Sequence, residues 1–176
     1  MAKKNTTKYN SNKQEKRVAK ELNAKLIIAS GSLAFQKADV RNDIFLIECK
    51  TTSKDFYNLK ETVWLRIEKQ AVKDGIRTPL MCIDLNEGKD SYAVIKYLDF
   101  IGYDLDMKAQ YLGNTEPILL DTKSFKLTGD FKREPFSIEL VKGQYPCYRQ
   151  DIKFINSNTH LVILPWEEFI NIAKDI

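Results

Sequence analysis

"KADVRNDIFLIECKTTS", Lys37 to Ser53, decides how this chain is read. Its middle, Ile44 to Ile47, is an apolar run of the kind that builds a buried strand, yet it continues without a break into Glu48, Cys49 and Lys50. Side chains alternate along a strand, so Leu46, Glu48 and Lys50 share one face while Phe45, Ile47 and Cys49 share the other. Asn42-Asp43 reads as a two-residue hairpin turn, because Asn tolerates positive φ. Folding there sets Arg41 against Ile44, Val40 against Phe45 and Asp39 against Leu46. Asp39 then stands on the Glu48 face, one diagonal step of about 7 Å away.

Two carboxylates at that separation can close on one divalent cation, with Lys50 beside them. As mere structure the cluster is expensive, since neighbouring anions in a partly dry site repel and one takes a proton unless a cation is present. Mg²⁺ resolves the conflict: it takes oxygen ligands, keeps several waters and sits on one or two carboxylates plus a substrate phosphate. A metal-bound water is a far better nucleophile, and the cation offsets charge growing on a phosphodiester under attack. The plainer alternative is a Glu48–Lys50 ion pair at a strand end, which leaves Asp39 unexplained.

Composition narrows the chemistry further. The chain has 176 residues, 43% hydrophobic and 30% charged, which fits a single globular domain with an extension. No apolar run approaches the roughly 18 residues of a membrane span, and the lysine-rich start lacks a signal-peptide core, so a cytoplasmic protein is expected. Cys49, Cys82 and Cys147 are widely spaced and suggest neither a zinc site nor a disulfide framework. One histidine, His160, excludes chemistry that needs several imidazoles. The net charge of +4 is uneven: residues 1–20 carry +6 and the other 156 residues sum to −2. Such an arm, with Lys3, Lys4, Lys8 and Lys13, either contacts a polyanion or simply solubilises the chain.

Along the chain, residues 1–11 read as a polar flexible arm. Ser11 or Asn12 caps a helix to about Asn23, on which Glu15 shares the apolar stripe of Val18, Ala19 and Leu22. "KLIIAS" is a short strand and Ser30–Ser32 a small-residue loop. After the hairpin comes a helix from about Lys54 to Asp74, with Phe56, Leu59, Val63, Ile67 and Ala71 on one stripe and Gly75 as its stop. "PLMCIDL" and "SYAVIKYL" are strands, Asp99 to Leu112 a helix, and "PILLD", "SFKLT" and "FSIEL" short strands. "THLVILP" leads through Pro165, at the first helical position, into a terminal helix. The order predicts an α/β fold, a central mixed β-sheet flanked by helices, with residues 12–97 as core and 98–176 as an α/β elaboration of the same domain. Cys49, Trp64 and Trp166 read as packing, and His160 carries no assigned role. In the later region Lys123, Lys126, Lys132, Arg133, Lys142, Arg149 and Lys153, interleaved with aromatics, either hold nucleic acid or form an ordinary solvated sheet.

Glu15, Asp39 and Glu48-Cys49-Lys50, in the order helix, strand start, E-x-K strand, resemble the PD-(D/E)xK nuclease superfamily with its restriction-endonuclease-like core. The resemblance spans about residues 12–85. Within the superfamily the "SGS" loop and basic N-terminus look most like Holliday-junction resolvases of the archaeal and phage kind. Ala38 departs from the proline or glycine common before the aspartate.

That resemblance implies a metal-dependent endodeoxyribonuclease acting on branched or four-way DNA as a homodimer, with Mg²⁺ as cofactor and Mn²⁺ able to substitute. Glu15, Asp39 and Glu48 would be metal ligands together with the Cys49 backbone carbonyl, and Lys50 the catalytic lysine. Ser30 and Ser32 would contact DNA with Lys3, Lys4, Lys8, Lys13 and Lys37, and Gln70 would lie beside the site. A restriction-type or mobile-element nuclease on the same core, and a DNA-binding module that has lost the chemistry, are the two alternatives.

Overall fold

A computed structural model describes residues 6–27, 38–112, 115–130, 141–174 and 176. Lys3, Lys4, Ser30, Ser32, Lys37 and the expected "FSIEL" strand lie outside the described residues. The chain runs α1 (Thr6–Glu21), β1 (Lys25–Leu26), β2 (Val40–Arg41), β3 (Phe45–Thr51), β4 (Phe56–Lys60), α2 (Glu61–Lys73), β5 (Thr78–Leu85) and β6 (Asp90–Lys96). It continues through α3 (Tyr97–Gly102), α4 (Leu105–Lys108), β7 (Ala109–Leu112), β8 (Ile118–Leu120), β9 (Ser124–Thr128), β10 (Tyr145–Tyr148), β11 (Gln150–Phe154), β12 (Thr159–Pro165) and α5 (Trp166–Ala173).

An eight-stranded mixed sheet, ordered β1-β2-β3-β5-β6-β12-β11-β8, forms the centre. β3 pairs with β5 in parallel because α2 carries the chain back across the sheet, and every β5 residue is buried, as a strand covered on both faces requires. Val18 of α1 packs with Ile47, Cys49, Leu80 and Cys82 on one face, together with Phe100 of α3 and Phe169 of α5. Trp64 and Ile67 of α2 pack with Met81, Ile83 and Val94 on the other. The second half adds β12, β11 and β8 to the same sheet. Among the described residues no helix is long and apolar enough to cross a membrane.

Several expectations are corrected. The hairpin loop is Asp43-Ile44, one residue later than expected, so Arg41 faces Leu46 and Val40 faces Ile47. Asn42 is not among the positive-φ residues. Instead its Oδ1 accepts the amides of Ile44 (3.0 Å) and Phe45 (2.7 Å), which places it at the first corner of the turn.

Residues 54–74 do not form one helix: Phe56–Lys60 is a strand paired antiparallel with Ser124–Thr128, and α2 begins only at Glu61. Leu59 and Leu127 are both fully buried beside Tyr92, so a distant partner overrides the local helical spacing. The expected helix Asp99 to Leu112 divides into α3, α4 and β7, broken at Asp104 with φ 55°.

α1 starts at Thr6 rather than at Ser11 or Asn12, so the arm is partly helical. Ser11 Oγ donates to Glu15 Oε1 at 2.9 Å instead of capping a helix end. Pro165 ends β12 and flanks α5 rather than opening it. The strands β10 and β11 were not expected at all.

Candidate active site

β3 sets out its charged residues as alternation requires. Leu46 packs with Ala71 of α2, so the Leu46, Glu48 and Lys50 face lies on the α2 side, while Ile47 and Cys49 face α1. Glu48 is 3% exposed. A buried carboxylate needs compensating cations, and two are in place: Lys50 Nζ stands 2.6 Å and Arg66 Nη2 3.4 Å from Glu48 Oε1. Burial draws the Lys50 ammonium down, but its bond to Glu48 and the charges of Glu48 and Asp39 leave it above the ordinary lysine value. Lys50 is therefore a fixed cation at neutral pH.

Asp39 reaches this point by a local departure from the ladder. Its amide donates to Ile47 O (3.1 Å), whose ladder partner is Val40, while its carbonyl accepts from Ile27 N (2.9 Å) on the opposite side. Two residues are thus set against one, as in a bulge, which re-aims a side chain. Asp39 Oδ2 then accepts the Cys49 amide at 2.8 Å. This corrects the expected diagonal on one face: the carboxylate lies at the sheet edge, in line with the hydrogen bonds. Amide and carbonyl of one strand residue point the same way, so the Cys49 carbonyl faces that edge too.

The charges of both acidic neighbours meet at Asp39. Burial pushes its carboxyl up; the Cys49 amide opposes this, and the nearby Glu48 and Glu15 leave it at about 6. Glu15, half-buried on α1, thereby joins Asp39, Glu48 and Lys50 in one electrostatic cluster. Among the described residues no group of three or more His, Cys, Asp and Glu side chains is placed to hold a metal ion. Asp39, Glu48, Glu15 and the Cys49 carbonyl offer oxygen donors alone, and at Asp39 burial first, then the charges of Glu48 and Glu15, favour the protonated form. Oxygen donors are the kind a hard cation such as Mg²⁺ takes, on one or two carboxylates with its own waters. The thiols do not compete: Cys49, Cys82 and Cys147 are buried, and burial pushes each above the ordinary cysteine value.

Three neighbours were not found in the sequence. Gln14 is 2% exposed, and its Nε2 donates to Lys50 O and Cys82 O, each at 3.0 Å. It clamps the end of β3 to α1. Arg66 reaches Glu48 from α2, as above. Tyr57 of β4 is half-buried beside the cluster; burial raises its phenol while Lys50 lowers it. Helical spacing offered a signal only for Gln14, at i−4 to Val18.

The remaining candidates are less engaged. Gln70 lies one turn beyond Arg66 on α2, half-buried, with an Oε1 that has no hydrogen-bond partner among the described residues. Lys8 and Lys13 are exposed on α1. Arg149 is not a surface cation: it is 8% exposed and held by Asp151, at 2.5 Å from Nε and 2.6 Å from Nη2. His160 Nε2 also contacts Asp151, at 2.7 Å, while its ring stacks on Tyr97. Neither a protein-family model nor a curated protein matches this chain.

Proposed function

We propose that this protein is a metal-dependent endodeoxyribonuclease of the PD-(D/E)xK kind, resolving branched DNA such as four-way junctions as a cytoplasmic homodimer. The observation that carries the reading is the meeting of Glu15, Asp39, Glu48 and Lys50 around one strand end. It is supported by the order of elements that bring them there: a helix, a three-strand meander, a second helix and a parallel strand.

Asp39, Glu48, Glu15 and the Cys49 carbonyl would hold Mg²⁺ or Mn²⁺. Bound there, the cation supplies Lewis acidity and an activated water. The chain's own groups do the rest. Lys50, kept protonated by Glu48, serves as an electrostatic partner for the scissile phosphate rather than as a proton acceptor. Arg66 carries a half-exposed guanidinium on the same carboxylate and can turn toward a second phosphate oxygen. Gln14 holds the Lys50 backbone so that the ammonium keeps its direction.

The test is a labelled four-way junction, a linear duplex and a single strand, each incubated with Mg²⁺, Mn²⁺ or EDTA. The wild type should make paired incisions in the junction that need the cation. Glu48→Gln and Lys50→Ala should each lose at least about 100-fold in rate while binding is retained. Preference for the linear duplex would indicate a restriction-type enzyme. Binding without cleavage under every condition would indicate a DNA-binding module.

A further inference from the structure

β4, which lies between β3 and α2 in the chain, forms with β9 a two-stranded antiparallel ribbon set apart from the central sheet. Its inner face is apolar and anchored: Leu59 and Leu127 are fully buried against Tyr92 and Trp64. Its outer face differs in kind. Phe56, Asn58 and Lys60 alternate with the inward residues, and the register sets Asn58 opposite Lys126 and Lys60 opposite Ser124. Asn58, Lys60, Ser124 and Lys126 are exposed. The Phe56 ring carries two ammonium groups, Lys126 Nζ at 4.5 Å and Lys54 Nζ at 5.1 Å from its centroid. Like charges gathered on one ring repel each other, and an incoming anion relieves the strain.

The ribbon also stands next to the catalytic strand. Only Thr52 to Asp55 separate β3 from β4, and Lys60 runs directly into α2, the helix whose Arg66 touches Glu48. We infer that the outer face of the β4–β9 ribbon docks the phosphate backbone of duplex DNA flanking the scissile bond, with Lys54, Lys60 and Lys126 as the phosphate contacts. This rests on the nuclease reading for its substrate. Charge complementarity supports it, as does the shape, because a two-stranded ribbon lies along a duplex groove. Asp130, whose Oδ2 accepts from Thr128 Oγ1 at 3.0 Å, keeps its negative charge just beyond the end of β9, away from the Lys60 end of the ribbon.

The experiment measures equilibrium binding of the full chain to a four-way junction and a linear duplex in EDTA, over a range of salt. The triple variant K54Q/K60Q/K126Q is compared with K73Q/K89Q/K174Q, which removes the same charge from exposed lysines elsewhere. The ribbon variant should bind about 10- to 100-fold more weakly, and its log–log salt slope should shrink by roughly 2–3, at about 0.9 per phosphate contact. Its melting temperature should match the wild type, and so should its cleavage rate at saturating DNA. Unchanged affinity and slope overturn the inference, and so does an equal loss in the control variant, which would mean net charge alone. Binding through the ribbon without cleavage would sink the nuclease reading and leave this inference standing. Cleavage with the ribbon variant unimpaired in binding would do the reverse.

Discussion

At the scale of single residues, the cluster is a set of charges held in a balance that a cation would change. Asp39 titrates near 6, above the ordinary 3.8, so the folded state binds its proton more tightly than the unfolded chain does. Its contribution to stability is full below about pH 3.8 and is lost as pH rises through about 6. Asp39→Asn keeps an oxygen that can accept the Cys49 amide and removes the ionisation. In EDTA at pH 8 it should therefore melt above the wild type, with the difference closing toward pH 4. Melting curves across that range check it, and a variant less stable than wild type at pH 8 would contradict it. Glu48 and Lys50 were legible in the sequence because alternation alone puts them on one face. Gln14 shares the helical stripe of Val18, but its role and that of Arg66 were not legible, because they depend on which helix covers which face of β3, and no local pattern encodes that.

Among the elements, the instructive failure is β4. Phe56, Leu59, Val63, Ile67 and Ala71 satisfy helical spacing, yet the first two belong to a strand whose partner is more than sixty residues away. A periodicity argument sees only neighbours in the chain, whereas Leu59 is placed by its ladder partner Phe125. The hairpin failed by one residue for a smaller reason, the choice of Asn42 between two corners of a turn. β5 and β12, each with an apolar run at its centre, Leu80–Ile83 and Leu161–Leu164, were legible from those runs. The end of β9 gives a test of how the ribbon is seated. A Cβ at Gly129 would stand 2.9 Å from the Tyr92 hydroxyl, in a buried part of β6. Gly129→Ala should cost about 1–3 kcal/mol, as overpacking does, measured by urea denaturation with an unchanged m-value. A neutral result would show that the ribbon can shift away from the sheet.

For the molecule as a whole, the mixed sheet with helices on both faces was foreseeable from the order of runs, but its extension was not. β10 and β11 follow one another with a single residue between them, too close for separate strands to be read from pattern. A cation that binds only the native state must stabilise all of it. Millimolar Mg²⁺ should raise the melting temperature of the wild type and leave that of Glu48→Gln unmoved, whether or not DNA is cut. An equal rise in both would place the cation elsewhere. The bond from the Cys49 amide to Asp39 has a consequence beyond geometry. One main-chain proton points straight at the carboxylate on which cation, substrate and acidity would all act. Its resonance in a nuclear magnetic spectrum would therefore serve as a gauge, built into the polypeptide, for the occupancy of the whole centre.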